Sequence, residues 1–73
     1  MTVEKTRTGN IPAYIAEKAH SGSRETWTVH FADTIENVPD ADILKALEAV
    51  SWLWSPAIIR TGHKTVTYTG YTD

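Results

Sequence analysis

Seventy-three residues, a formal charge of -2 and no cysteine already narrow what this chain can be. A single domain of this size buries only about 60% of the surface its unfolded chain exposes, and without thiols neither disulfides nor a cysteine-based zinc site can reinforce it, so packing or self-association must. Seven Lys and Arg against nine Asp and Glu supply no global attraction to nucleic acid, and the most apolar window, 49–59, is broken by Ser55 and Pro56 and falls far short of the roughly 20 residues of a membrane span.

The opening MTVEKTRTGN lacks the apolar stretch of a secretion signal, and the expectation is a soluble, cytoplasmic protein with no membrane contact. Residues 1–9 alternate Thr with charge and carry a single aliphatic side chain, Val3, beyond Met1. They read as a mobile N-terminal arm ahead of one domain over 10–73.

NIPAYIAEKAHSGS is open to two readings. Ile11, Tyr14, Ile15 and Ala19 suit one face of a helix capped by Gly22, whereas Ile11, Ala13 and Ile15 alternate as in a strand. The next segment, ETWTVHFAD, sets Trp27, Val29 and Phe31 on one face and Thr26, Thr28 and His30 on the other, the pattern of a half-buried strand that needs a neighbour. The expectation is therefore a hairpin closed by a three-residue loop, Ser21-Gly22-Ser23, with Ala13 and Ile15 opposite Phe31 and Val29.

A helix is the firmest expectation of DADILKALEAV. Asp40 suits the N-cap, Asp42 stands in the first turn where the helix dipole favours negative charge, and Ile43, Leu47 and Val50 recur as one apolar stripe. Beyond Pro56 the chain reads as a second hairpin, turning at Thr61-Gly62-His63 and then alternating Val66 and Tyr68 against Thr65, Thr67 and Thr69. The fold class expected is a small single α+β domain, strand-strand-helix-strand-strand, with an antiparallel sheet packed on one amphipathic helix. ETWTV is echoed by KTVTY, and PAYI by PAII, as in a duplicated hairpin or by coincidence of two Thr-rich hairpins.

Trp52 and Trp54 leave two geometries open. At about 100° per residue a helix continued through Trp54 places that residue on the stripe of Ile43, Leu47 and Val50 and turns Trp52 outward between Lys45 and Glu48. If the helix ends near Ser51, the chain is extended, both indoles lie on one side of it, and both can belong to the core. An exposed indole is typical of an interface anchor, so the partner-binding candidates are Trp52 with Lys45 and Glu48 on the helix, joined by Asp40 and Asp42 from the acidic run.

Cations gather at the two turns: Lys18, His20 and Arg24 about the first, and Arg60, His63 and Lys64 about the second. If the hairpins are aligned, these tips make one basic edge, and Lys18, Arg24, Arg60, His63 and Lys64 become phosphate-contact candidates for an antitoxin- or repressor-like regulator of nucleic acid. The last strand, TVTYTGYTD, carries no charge before Asp73 and as a sheet edge invites a homodimer. No catalytic constellation, phosphate loop, cofactor motif or metal-ligand spacing stands out. The function expected is that of a small non-catalytic protein that binds another protein, a phage- or mobile-element-type inhibitor or adaptor that works by occluding a surface, with nucleic-acid regulation as the alternative.

Overall fold

The chain is organised as β1 (Thr2–Lys5), β2 (Tyr14–Ser21), β3 (Arg24–Phe31), α1 (Asp40–Glu48), β4 (Trp54–Arg60) and β5 (Thr65–Tyr71). This computed structural model describes residues 1–72, with the backbone alone at positions 20 and 21. The alternation in ETWTVHF is the observed one: Glu25, Trp27, Val29 and Phe31 are buried, while Thr26, Thr28 and His30 point the other way. All five strands pair antiparallel in the order β1-β2-β3-β5-β4, so the domain is α+β with one more strand than expected.

That extra strand comes from the segment read as an arm. Thr2–Lys5 pairs with Tyr14–Glu17, and the Lys18 N–H donates to the Met1 carbonyl at 2.9 Å. Ladder hydrogen bonds need only backbone, which is why a stretch with one aliphatic residue still forms a strand. Val3, half-buried, packs against the core from this edge.

The first hairpin has a two-residue loop, Gly22–Ser23, in place of three. Gly22 takes φ 63°, a conformation that costs glycine nothing and suits tight hairpin loops. Shortening the loop by one residue slips the register by one, and a one-residue slip exchanges the faces of a strand. Tyr14 and Ala16 thus oppose Phe31 and Val29 and point inward, while Ile15 is exposed.

β5 is interior, between β3 and β4, so the expected homodimer through a free C-terminal edge has no edge to use. The chain leaves β3, crosses by α1 to β4, and returns to fill the gap with β5. The outer strands are β1 and β4, and both are blunted. β1 is short and carries Glu4 and Lys5; β4 has a register shift between Trp54 and Ala57, with Ser55 at φ 48° and Pro56 beside it. Short charged strands, bulges and edge prolines all discourage strand addition.

One face of the sheet receives the helix. Ile43 and Leu47 of α1, with Ile35, Val38 and Leu53 from the connections, close over Ala16, Trp27, Val29, Val66 and Tyr68, and Tyr14 meets Phe31 at a ring separation of 5.4 Å. Asp40 is the first helical residue, after Pro39, and no side chain caps the helix. Its carboxylate instead accepts from Arg60 Nε at 2.8 Å, while the same guanidinium donates to the carbonyls of Ile35 (2.6 Å) and Val38 (2.5 Å). Arg60 thereby ties the loop before the helix to the edge strand. No helix among the described residues is long and apolar enough to cross a membrane.

Candidate functional site

α1 stops at Glu48, and the Val50 and Ser51 N–H groups both donate to the Leu47 carbonyl at 3.0 Å, closing its last turn well short of Trp54. Trp52-Leu53-Trp54 then runs extended with alternating sides. Leu53 is 1% exposed, whereas Trp52 and Trp54 are 58% and 56% exposed. Of the two geometries open in the sequence, the extended one holds, but it carries both indoles into solvent and not into the core, with Trp54 off the apolar stripe of the helix.

Gly70 makes this arrangement possible. A Cβ there would lie 2.6 Å from Leu53 Cβ and 3.0 Å from the Trp54 carbonyl, so only glycine in β5 lets Leu53 sink against the sheet and throw its two neighbours outward. The indoles meet edge to face, centroids 4.6 Å apart and planes at 82°, a favoured aromatic geometry. Trp54 lies opposite Tyr71, which is also exposed and lies opposite Arg24. The Arg24 guanidinium is 6.0 Å from the Tyr71 ring centroid, and its Nε donates to Thr69 Oγ1 at 3.1 Å. Three exposed rings therefore occupy one corner of the uncovered sheet face.

The rest of that face is polar and close to neutral. Thr28 faces Thr67, Thr26 faces Thr69, and His30 faces Thr65, so the echoed segments lie side by side. Thr26 and Thr69 share a hydrogen bond of 3.2 Å. Glu4 and Glu17 stand on the same face toward β1, set against Arg24 on β3, and Ile15 and Ile59 are its exposed aliphatic residues. At the end of the sheet away from the indoles, an open groove of about 560 Å³ runs along Lys5, Tyr14, Ile15, His30 and Phe31.

Behind the aromatic corner, on the covered face, lies a polar cluster. The buried Glu25 carboxylate accepts from Trp27 Nε1 at 2.7 Å and from the Ser51 hydroxyl, and pairs with Lys18 Nζ at 3.0 Å. Burial alone would raise this carboxyl, but the hydrogen bonds from Ser51, Trp27 and Lys18 and the Lys18 charge outweigh it and hold it below its ordinary value. The Tyr68 hydroxyl donates to the Ser51 carbonyl at 2.8 Å. Burial, with the charges of Glu48 and Glu25 nearby, pushes it up to about 12. The cluster fixes Ser51, and hence the point at which the chain departs toward Trp52.

The other candidates are scattered. Asp40 and Asp42 stand at the start of α1, bound to Arg60 and to Asn10 Nδ2 (2.9 Å), a helix length from Trp52, and Lys45 is exposed on the helix. Glu48, at the end of α1, lies near Tyr68, whose hydroxyl meets Ser51. The cations form no common edge, because β3 and β5 are antiparallel and set the hairpin tips at opposite ends of strands eight and seven residues long, roughly 20 Å apart. Lys18 is paired with Glu25, Arg60 with Asp40, and His63 Nδ1 with Glu36; Arg24 leans on Tyr71, and Lys64 is exposed. The His20 side chain lies outside the described residues. Among those residues no cluster of His, Cys, Asp or Glu is arranged to hold a metal ion.

Sequence reasoning singled out Trp52 but gave Trp54 to the core and passed over Tyr71. The alternation of Leu53 between two tryptophans was the available signal. Compared with known proteins, the chain matches no family model, no curated protein and no solved structure.

Proposed function

We propose that this chain is a non-catalytic protein-binding module whose contact surface is the corner formed by Trp52, Trp54 and Tyr71, and that it acts by covering a surface of its partner, as small inhibitors and adaptors do. The reading rests above all on the outward-facing tryptophan pair. A domain this small has every reason to bury its indoles, and Trp27 is buried; two more held in solvent by a glycine-dependent packing contact have the character of interface anchors, where Trp and Tyr are enriched.

The remaining chemistry supports binding over catalysis. Glu25, the buried carboxylate among the described residues, is satisfied within the fold by three donors, an arrangement that commits this carboxylate to the fold. With the edges of β1 and β4 blunted, the uncovered sheet face is the part of the sheet that a partner can meet.

Capture from a cell lysate tests the reading. Tagged wild-type chain is expected to retain a stoichiometric protein that survives nuclease treatment, and a Trp52→Ala, Trp54→Ala double variant with an unchanged melting temperature is expected to lose it. Capture that vanishes with nuclease, or that the double variant retains in full, overturns it.

A further inference from the structure

We infer that the Trp52–Trp54–Tyr71 corner docks a proline-rich, polyproline II segment of the partner protein. This rests on the protein-binding reading above and names the chemistry of its ligand.

Hydrogen-bonding character points this way. The Trp27 indole N–H is engaged by Glu25, but among the described residues neither the Trp52 nor the Trp54 N–H donates to any acceptor, and the Tyr71 hydroxyl has no partner. The corner thus presents aromatic surface edged by unused donors. A polyproline II strand is its complement: it has no internal hydrogen bonds, its carbonyls are bare acceptors, and proline contributes no N–H. Such segments dock into aromatic-lined grooves with little ordering cost because they are already extended. The planes of Trp52 and Trp54, 82° apart, form a notched surface on which a pyrrolidine ring can lie against one indole and abut the other.

Charge and backbone argue against other occupants. A nucleic-acid strand would also stack on these rings but requires a positive track, and this face sets Arg24, already on Thr69 and Tyr71, against Glu4 and Glu17. An added β-strand needs a clean edge, and Ser55 and Pro56 interrupt β4 next to the indoles. A second copy laid face to face would bring Glu4 and Glu17 of each copy toward a face whose cation, Arg24, already lies on Thr69 and Tyr71.

Titration of the intact chain with a ten-proline peptide, followed through the three indole N–H resonances, tests the inference. The Trp52 and Trp54 signals are expected to move saturably while Trp27 stays in place, and a glycine-serine peptide of equal length is expected to move none. Trp54→Ala, with Trp27 unshifted as proof of folding, is expected to weaken binding at least about tenfold, as for an interface anchor. Indoles that remain still at millimolar peptide, that respond equally to glycine-serine, or that respond instead to a cello-oligosaccharide or a thymidine decamer overturn the inference. The two readings fail separately: a captured partner that needs the tryptophans but contains no proline-rich segment removes this one and leaves the protein-binding module standing.

Discussion

The two faces of the sheet use the same residue types to opposite ends. On the covered face Trp27 is buried, its N–H held by Glu25 at 2.7 Å, and Tyr68 is buried with its hydroxyl on Ser51. On the open face Trp52, Trp54 and Tyr71 lie in solvent and hold only one another and Arg24. In a fold with so little interior, the first set is packed into the core, and the proposed binding role is what accounts for the second.

That contrast can be broken most forcefully at Trp27. Trp27→Ala removes a buried ring and leaves Glu25 short of a donor, and a loss of about 3–5 kcal/mol is expected from chemical denaturation. A loss under about 1 kcal/mol would mean that the covered face is not the core. Gly70→Ala comes next, since its new Cβ meets Leu53 Cβ at 2.6 Å; overpacking of this kind costs about 1–3 kcal/mol, and because Leu53 holds the chain between the indoles, partner binding is expected to fall with it. Arg60→Ala frees two loop carbonyls and Asp40. About 1–2 kcal/mol is expected, toward the low end because the Arg60 side chain is 32% exposed and Asp40 more so.

Acid and alkali sharpen the same division. The Glu25 carboxyl is held below its ordinary value, so its contribution is present at neutral pH and is lost as pH falls through the lowered folded value. Glu25→Gln is expected to flatten the acid limb of a stability-against-pH curve; an unchanged limb would show that the carboxylate adds nothing. Tyr68 is displaced upward to about 12, so its contribution is complete below the ordinary tyrosine value of about 10 and fades as pH rises toward 12. Tyr68→Phe is expected to lessen that alkaline loss. The smallest effect belongs to the open face: Trp52→Ala and Trp54→Ala are each expected to shift stability by less than about 1 kcal/mol, and a larger loss in either would place that indole in the structural core.

Much of the covered face was legible in the sequence because it follows local periodicity. ETWTVHF alternates as a half-buried strand must, and Ile43 and Leu47 recur as a packed helix requires. The open corner was half legible. Trp52 stood out as a candidate, but the choice between helix and extended chain after Ser51 turned on Gly70, some twenty positions away, and on the Glu25 cluster that holds Ser51. The basic edge failed for a related reason: composition places cations at both turns, but only the pairing of β3 with β5 says that the turns point apart.

What the sequence by itself determined is the set of elements whose side chains carry a period, namely β3, α1 and the second hairpin, and with them the α+β class. Tertiary structure alone decided that Thr2–Lys5 is a strand, that β2 presents Tyr14 and Ala16 to the core in place of Ala13 and Ile15, that β5 is interior, and that two tryptophans face solvent. Each of these depends on backbone pairing or close approach between segments distant in the chain. Backbone groups are alike at every residue, so such pairings leave little trace in the pattern of side chains.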